Sequence, residues 1–493
     1  MHFNDLKQSL EAVASAMSRC LDENNNFLPS AFPHWENAHD SGRWIEAVLM
    51  LENCIGFEIP KKLERAMLFN FKALMSNPYG LLINDIELFE NKDDVRLHYH
   101  SIREAFMALY TLVKYKNSKW AVRCGETLAD TVDRRFFEKT LTDEEIREVL
   151  GIPEDKPSSD RPIDPFEGKD DTQSTGRAIE AMVLFYKETG SAKVLAVLEK
   201  CVQFHREMNL REDGTAPEWM TCENHVGHNH SYLGTLRGLV LYGIEFGDKT
   251  LVESVYKTYK NSIHKYNCSY SGFAPHDLAA LCFPDSNGDP LGDLASCADV
   301  AYIAYLLASG GGYTELYDDV QRFVRARLFR FQCDEGDEFG TWGITGGDLF
   351  AFGTTIDVFS LIASTLCKIY ADFIKEKESE IFIDLCFSKE CEAVSVKAYR
   401  DEKQHLDIGM KCGKNLYVRL PAWCSVEALS VSVPYEIKDG YLFVSSEYCI
   451  GNTVEISYSL PEKITEESTW RSGKKYRIFW HGDDILNHEQ IDS

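Results

Sequence analysis

Polar and aromatic residues are crowded into six stretches of the sequence, each of which precedes an apolar helical pattern. The stretches are 32–40, 94–100, 164–171, 219–230, 276–293 and 342–348. Asp348 lies in a Gly-rich turn, Asp293 directly precedes a helical pattern, and Asp277 and Glu223 lie in two further stretches. Two carboxyl groups, one protonated and one ionised, are the usual machinery for cleaving a glycosidic bond. We predict Asp348 and Asp293 as the first catalytic pair, with Asp277 and Glu223 next.

Histidine is the second chemical feature of these stretches, which contain eight of the 14 histidines. Because imidazole changes charge near neutral pH, His100 and His230 are equally predicted as acid–base groups, and His98 beside His100 would also suit β-elimination. His225, His228 and His230 could together hold a metal ion, but their spacing matches no strong motif and no metal site is predicted. For any single Asp or His, the simpler interpretation is a helix cap or a satisfied buried polar group.

Sugar recognition needs flat rings that stack on C–H faces and polar groups that converge on the hydroxyls. The residues predicted to bind substrate supply that mixture, and they are Trp35, Arg43, His98, Trp219, Glu223, His228 and Trp342. Arg43 stands at a helix start, where it could instead form a salt bridge. Cys297 lies in an apolar helical pattern and is more typical of a core thiol than of a nucleophile.

The elements that must position these residues form an internal repeat. Six helical segments open alike, with the marker residues Arg43, Arg103, Arg177, Arg237, Cys297 and Asp357. The markers recur at intervals of 60, 74, 60, 60 and 60 residues, and the long interval contains an apparent inserted loop at 141–172. A more polar, amphipathic helix lies between successive markers. Six hairpins predict an (α/α)6 barrel, rather than an open solenoid, with the marker helices inside and all six loops at one mouth.

After about Ile381 the hydrophobic pattern changes from a helical to an alternating one. Segments such as 380–385, 393–398, 415–420 and 453–458 alternate apolar and polar residues, and turn residues such as Asp439 and Gly440 separate them. Many short strands of this kind predict an antiparallel β-sandwich. We therefore predict a barrel with an active-site funnel at 1–378 and a sandwich domain at 379–493.

Composition restricts the partners of the chain. Its 493 residues carry a formal net charge of −26, which disfavours nucleic acid and anionic membrane surfaces. No apolar run is long enough to span a bilayer, and the first residues lack a secretion-signal pattern. The 15 cysteines include no CxxC pair, which favours reduced thiols in the cytoplasm. A carbohydrate substrate is the predicted partner, no cofactor is expected, and an oligomer is possible.

Four segments, at 296–301, 317–325, 417–424 and 476–483, carry a resemblance to a known family. In them the chain resembles the β-L-arabinofuranosidase-type glycoside hydrolases of families 127 and 146, and the likeness extends in order over most of the chain. The resemblance implies an (α/α)6 barrel followed by a β-sandwich, and hydrolysis of O-glycosyl bonds.

The resemblance also implies a zinc-bound cysteine nucleophile, and here the sequence departs from the family. The family's Glu-x-Cys motif reads Ala295-Ser296-Cys297, the position of its Cys-Cys pair supplies no thiol, and no Glu stands near Asp277, where its acid–base residue falls. One ligand of four cannot form a tetrahedral zinc site. The sequence therefore predicts a zinc-independent glycoside hydrolase that acts on an oligosaccharide by carboxylate acid–base chemistry. The alternatives are a polysaccharide lyase or sugar epimerase on the same barrel, and a catalytically inactive glycan-binding protein.

Overall fold

The computed structural model of the chain describes residues 3–19, 36–83, 97–152, 171–222, 227–278, 291–342, 344–345, 356–468 and 473–491. In these ranges most of the helices precede the strands. The helices are α1 (Leu6–Met17), α2 (Glu36–Ile55), α3 (Lys61–Leu74), α4 (Ile102–Lys116), α5 (Lys119–Val132), α6 (Asp143–Leu150), α7 (Arg177–Thr189), α8 (Ala192–Asn209), α9 (Glu218–Thr221), α10 (Asn229–Phe246), α11 (Lys249–Thr258), α12 (Leu294–Ser309), α13 (Tyr317–Phe323), α14 (Ile356–Asp372) and α15 (Ser446–Cys449). None of the helices described is both long and apolar enough to cross a lipid bilayer.

Six of these helices form a closed inner ring. Helix α2 packs on α4, α4 on α7, α7 on α10, α10 on α12 and α12 on α14, and α14 packs back on α2. Each contains one of the predicted marker positions near its start. Ring closure buries the inner helices on nearly all sides, and α12 is buried along almost its whole length. The predicted (α/α)6 barrel is confirmed, and the open solenoid is wrong.

The outer ring consists of α1, α3, α5, α8, α11 and α13, each packed on an inner helix. These helices bury one face only, as in α8, where Val194, Val197, Leu198, Cys201 and Val202 face the core at helical spacing. The interval predicted as an inserted loop contains α6, which starts with a reciprocal capping box between Thr142 and Glu145. That interval is therefore partly helical.

In three of the repeats, a short turn connects the end of the inner helix to the start of the outer helix. Asn117, Gly190 and Gly247 end α4, α7 and α10 with φ of 52°, 64° and 73°, the left-handed conformation that closes a helix. Ser118 and Asp248, which follow two of them, accept the first backbone N–H bonds of the outer helix. These short turns make inner and outer helices antiparallel, so the inner helices start at the same end of the barrel.

The strands are β1 (Gly292–Asp293), β2 (Ile344–Thr345), β3 (Ile374–Glu376), β4 (Glu380–Ile383), β5 (Lys389–Glu390), β6 (Val394–Arg400), β7 (Lys403–Met410), β8 (Asn415–Arg419), β9 (Ser430–Val431), β10 (Glu436–Lys438), β11 (Tyr441–Val444), β12 (Thr453–Ser459), β13 (Glu462–Ser468), β14 (Lys475–His481) and β15 (Asp484–Ile491). Two five-stranded sheets have the orders β10-β11-β8-β4-β3 and β5-β6-β7-β12-β9. Their pairs are antiparallel except β4–β8, which is parallel. The predicted C-terminal β region is confirmed, and its first strand starts at Ile374, before the boundary predicted at 379.

Strands β13, β14 and β15 form a separate antiparallel sheet on the wall of the barrel. Ile478, Trp480 and Ile485 pack against Ala326 of the barrel, with Tyr270 at the edge. The sequence pattern predicts that these strands belong to the sandwich domain. Alternation of apolar and polar residues shows that one face of a strand is buried, but it does not show which part of the protein packs on that face. The C-terminal residues thus support the barrel directly.

Candidate active site

Four chain segments run side by side at the end of the barrel where the inner helices start. His228 pairs with Asp277 and Pro275 pairs with Gly292 as antiparallel bridges, and Gly292 pairs in turn with Thr345 of β2. Backbone bonds from Asn229 N to His276 O (2.9 Å) and from Leu278 N to Gly227 O (3.1 Å) complete the first pairing. This small framework fixes the residues before α10, before α12 and before α14 relative to one another.

A pair of buried asparagines anchors the loop that carries His276 and Asp277. The side-chain nitrogen of Asn229 donates to the backbone oxygens of Asn267 (3.2 Å) and Pro275 (2.9 Å), and Asn267 donates to Asn229 Oδ1 (2.8 Å). Both residues are fully buried. Their amides satisfy backbone oxygens that would otherwise be stranded, so the loop is held at both of its ends.

Six histidines lie in one contiguous group, which we name the histidine cluster: His39, His98, His100, His228, His230 and His276. The ring of His100 lies 4.9 Å from that of His39, 5.4 Å from that of His98 and 5.9 Å from that of His228, centroid to centroid. His228 in turn lies 6.1 Å from His230 and 4.9 Å from His276. Among the described residues, four of the six polar stretches predicted to meet at one mouth contribute to this cluster.

Asp277 contributes a carboxyl group to this cluster. It is 1% exposed, and neither of its oxygens makes a hydrogen bond to a described group. The His276 ring lies beside it, with Nδ1 3.0 Å from Asp277 Oδ1. A buried carboxyl group without hydrogen bonds is costly as an anion, so it needs a proton, a cation or a ligand hydroxyl beside it.

The hydrogen bonds of His230 determine its tautomer. Arg43 Nη2 and Arg177 Nη2 lie 2.8 and 3.1 Å from His230 Nε2, and His230 Nδ1 lies 2.5 Å from Asp299 Oδ2. Because a guanidinium can only donate, Nε2 accepts and Nδ1 carries the proton given to Asp299. Both ring nitrogens of His230 are occupied by this network, so His230 positions its neighbours rather than transferring a proton to a ligand.

Below the histidine cluster, ion pairs in the barrel interior link all six inner helices. We call the residues that form them the charge belt. They are Arg43, Arg103, Arg177, Arg237, Lys368, Glu46, Glu104, Glu180 and Asp299. Glu104 accepts from Arg43 Nε (3.0 Å) and Arg177 Nη2 (2.6 Å). Glu180 accepts from Arg237 (2.9 Å) and Lys368 (2.8 Å). The four arginine markers thus pair with carboxylates of neighbouring inner helices, and Arg43 forms its salt bridge with a helix residue rather than with a neighbouring loop.

Neighbouring positive charges keep two of the belt carboxylates, Glu104 and Glu180, ionised. Burial alone would raise the pKa of Glu104, but Arg177, His39, Arg43 and Arg103 hold that pKa well below its usual range. Burial likewise opposes ionisation of Glu180, yet Arg237 and Lys368 lower its pKa to about 2. Burial, with Arg177 and the neighbouring imidazoles, holds the pKa of His100 well below its usual range. The cluster at neutral pH therefore contains a neutral His100 above anchored, ionised carboxylates.

Several residues predicted from the sequence have structural roles. Asp293 is the N-cap of α12, where its oxygens accept from Ala295 N (2.9 Å), Ser296 N (3.1 Å) and Ser296 Oγ (2.7 Å). Trp219 is 3% exposed and packs edge-on against Tyr232. Trp342 is fully buried and its indole nitrogen donates to the backbone oxygen of Leu328 (2.5 Å). Asp293 therefore caps a helix, in place of the catalytic role predicted for it, and both indoles pack in the core, in place of their predicted contact with substrate.

The remaining predicted residues divide into two groups. His98, His100, His228, His230, Asp277 and Arg43 lie in or directly below the histidine cluster. Asp348, Glu223 and Trp35 lie outside the described residues, as does His225 of the metal alternative. The cluster and the charge belt also contain functional candidates that the sequence did not single out as site residues, namely His39, Glu104, His276, Asp299 and the marker Arg177. Their signal was present, because Glu104, Arg177 and Asp299 lie in repeat openings, His276 is next to Asp277, and His39 lies in the first polar stretch.

Cys297 does not fit the cysteine–zinc centre that the family resemblance implies. It is 2% exposed, and burial raises the pKa of its thiol to about 12. Zinc is bound by thiolate, and no other described cysteine joins Cys297 in a group that could hold a metal ion. Among the described residues, the group that could hold one is His228, His276 and Asp277, whose ligand atoms all lie within 4.8 Å of one another.

Comparison with known proteins shows the fold. No family model matches the chain, and no curated protein sequence matches it. A GH127 β-L-arabinofuranosidase from Geobacillus stearothermophilus T6 is similar in structure, with 12% identity, 97% of this chain and 80% of that chain covered, and a TM-score of 0.59. A second GH127 β-arabinofuranosidase has 12% identity, coverages of 97% and 78%, and a TM-score of 0.62. The resemblance stated from the sequence is confirmed at the level of fold.

A sugar epimerase from a ruminal bacterium is similar over three quarters of this chain. It has 12% identity, covers 75% of this chain and 99% of its own length, and gives a TM-score of 0.50. Barrels of this architecture therefore occur in carbohydrate enzymes of more than one reaction type. The fold by itself does not choose between hydrolysis and epimerisation, and that choice depends on the groups at the mouth.

Proposed function

We propose that this protein is a glycoside hydrolase that acts on an oligosaccharide without the cysteine–zinc centre that the family resemblance implies. The observation that carries the proposal is the position of Asp277, a buried carboxyl group without hydrogen bonds, inside the histidine cluster at the mouth of the barrel. The fold likeness to GH127 β-arabinofuranosidases supports a glycoside as the substrate. The acidic chain offers no reason to expect a nucleic-acid partner.

In this proposal Asp277 is the general acid. Its proton goes to the glycosidic oxygen as the bond from that oxygen to the anomeric carbon breaks, and water supplies the new oxygen at that carbon. The histidines of the cluster bind sugar hydroxyls and exclude bulk water. We keep Asp348 as the proposed second carboxyl group, because it follows β2 by only three residues in the sequence. Strand β2 pairs with Gly292, and Gly292 pairs with Pro275, which is close to Asp277 in the chain.

The test is hydrolysis of a panel of aryl glycosides and oligosaccharides, including β-L-arabinofuranosides, by wild type and Asp277→Asn. We expect the variant to lose about 10²- to 10⁴-fold in kcat on oligosaccharides, because their leaving groups need a proton. On a dinitrophenyl glycoside, whose leaving group needs none, the loss should be far smaller. The matched control is Asp213→Asn, an exposed loop residue. No turnover by wild type across the panel would overturn the proposal, and equal losses on both substrate types would remove Asp277 as the acid.

Epimerisation is the second candidate, because imidazoles outnumber carboxyl groups among the described residues of the cluster and a sugar epimerase shares the barrel. A neutral histidine suits abstraction of a carbon-bound proton. An epimerase changes the configuration of a sugar without changing its mass, whereas hydrolysis adds water and a lyase leaves an unsaturated, ultraviolet-absorbing product. Mass and absorbance of the product therefore separate these reactions, and tight binding with no product would indicate a glycan-binding protein.

We propose the cytoplasm as the compartment of this enzyme. The cysteines described in the structure are all free, and many of them are buried. Unpaired thiols in this number are typical of proteins kept in a reducing compartment. Fractionation of the source cells, with thiol titration of the purified protein, checks this assignment.

A further inference from the structure

Three ligand atoms of the kind that bind zinc converge at the mouth of the barrel. His228, His276 and Asp277 each place one such atom within 4.8 Å of the other two. A tetrahedral zinc ion with bonds of about 2.0–2.1 Å needs ligand atoms roughly 3.4 Å apart, so small side-chain rotations bring the three into range. Two imidazoles and one carboxylate leave a fourth position for water, as in open zinc sites.

The backbone that carries these ligands is already paired. His228 and Asp277 face each other as an antiparallel bridge, and Asn229 donates to Pro275 O beside His276. Ser231 Oγ lies 2.7 Å from His228 Nδ1 and holds that ring from the side opposite to its Nε2. Such outer partners orient a metal-binding imidazole and fix the nitrogen that faces the ion.

Asp277 supplies an independent reason for a cation here. It is 1% exposed, and its oxygens make no hydrogen bond to any described donor. A buried carboxylate in this state is stabilised by a cation at short range. The nitrogen ligands favour a transition-metal ion such as Zn²⁺ over Mg²⁺ or Ca²⁺, which prefer oxygen.

We propose that His228, His276 and Asp277 form a binding site for Zn²⁺ or a similar divalent transition-metal ion, and that the bound ion inhibits the enzyme by occupying Asp277. The ligand set contains no cysteine and differs from the one that the family resemblance implies. The inhibitory part rests on the proposed function, because it requires Asp277 to act as a proton donor. The binding part does not, since it concerns only the three side chains.

The binding test is titration of the metal-free protein with Zn²⁺ in a calorimeter, and with Co²⁺ by visible absorption. We expect one equivalent to bind with a dissociation constant on the order of micromolar, weaker than a four-ligand structural site, because Arg43 and Arg177 lie near His228. His276→Ala and Asp277→Asn should each weaken binding by at least about 10- to 100-fold. The control His405→Ala, in strand β7, should bind as wild type does.

Two further measurements keep the outcomes distinct. Thermal unfolding of each variant shows whether it is folded, and Asp277→Asn preserves the size of the side chain if His276→Ala does not fold. Absence of saturable Zn²⁺ binding to wild type, or equal binding to wild type and Asp277→Asn, overturns the site. If a substrate is found, Zn²⁺ should inhibit its turnover at the concentration at which it binds; binding without inhibition overturns the inhibitory role alone. Failure to find a substrate would count against the proposed function and leave the binding result intact.

Discussion

At the scale of single residues, some polar groups of the site have all their hydrogen-bonding atoms paired with protein groups, whereas others do not. His230 uses both ring nitrogens, one to accept from Arg43 and Arg177 and one to donate to Asp299. Asp277 makes no such hydrogen bonds to a described group, although it is also buried. Pre-organised charges that are already satisfied by one another reorganise little when a ligand binds. Asp277, to which proton transfer is assigned, is therefore the residue that does not take part in the hydrogen-bond network of His230.

Glu180 gives a residue-scale prediction about stability. Arg237 and Lys368 hold its pKa at about 2, below the ordinary 4.5, so its pairing stabilises the fold fully above about pH 4.5 and this contribution is lost as the pH falls toward 2. Glu180→Gln should cost about 3–5 kcal/mol at pH 7, because Arg237 and Lys368 each lose one of their two carboxylate partners in the barrel interior. The difference from wild type should shrink at pH 3, as measured by urea unfolding at both pH values.

The matched control for Glu180 is Glu253→Gln, which removes an exposed i,i+4 partner of Lys257 on α11. Surface pairs of this kind contribute about 0–1 kcal/mol. A cost for Glu180→Gln as small as that of the control would show that the belt does not hold the inner helices together.

At the scale of elements, close contact between inner helices depends on glycine. A Cβ on Gly42 of α2 would lie 2.8 Å from Glu104 Cβ and 2.9 Å from Glu104 O of α4. A Cβ on Gly238 of α10 would lie 2.5 Å from Ile179 Cβ of α7. Each of these glycines is adjacent to a marker arginine, and its lack of a side chain lets two inner helices come close enough for their charged side chains to pair. The opening of the repeat therefore combines a small residue for close packing with a charged residue for pairing.

The sheet of β13, β14 and β15 supports the loop before the active site. Glu467 of β13 accepts from Ser271 N and Ser271 Oγ, both at 2.6 Å, and Ser271 O accepts from Arg327 Nε at 3.0 Å. Ser271 opens the loop that leads to His276 and Asp277. Glu467 is therefore a positioning residue, which acts on the site through Ser271.

Replacement of Glu467 tests this support. Glu467→Gln removes the charge and one acceptor, and we expect kcat to fall about 10- to 100-fold with KM little changed, because a small displacement of Asp277 affects proton transfer more than binding. Glu466→Gln, the neighbouring exposed residue that pairs with Arg477, is the matched control and should change neither constant. Steady-state kinetics below the unfolding temperature of both variants makes the measurement. Equal effects of the two substitutions, or a change in KM alone, would contradict the role of Glu467.

At the scale of the whole molecule, the ring could be predicted from spacing alone. Markers from Arg43 to Asp357 recur at near-equal intervals, and equal hairpins close on themselves because closure buries their apolar faces. The alternation after Ile381 predicted the sheets for a similar reason, since one face of each strand must be buried. Convergence of the polar stretches followed from closure, and it placed His100, His228 and Asp277 together correctly.

The roles of individual residues at the mouth of the barrel could not be predicted. A residue that precedes an inner helix can face either the open end of the barrel or the packed core. Trp219 and Trp342 lie in such stretches and pack in the core, while Asp293 turns back to cap α12. The cap did leave a signal, since Asp293 and Ser296 have the spacing of a helix start. The residues of the belt lie in the repeat openings, but which carboxylate each arginine pairs with could not be predicted, because Arg43 and Glu104 lie on different helices and meet only after closure.

The most direct test of this account is the position of a bound sugar in a crystal structure of Asp277→Asn with an intact oligosaccharide substrate. The account predicts that the glycosidic oxygen lies within about 3 Å of the residue 277 side chain, with the sugar against the histidine cluster. A cavity of about 390 Å³ lies elsewhere, at the junction of the barrel and the sheets, and is lined by Tyr270 and Trp423. A sugar seated there, with the mouth of the barrel empty, would contradict the account.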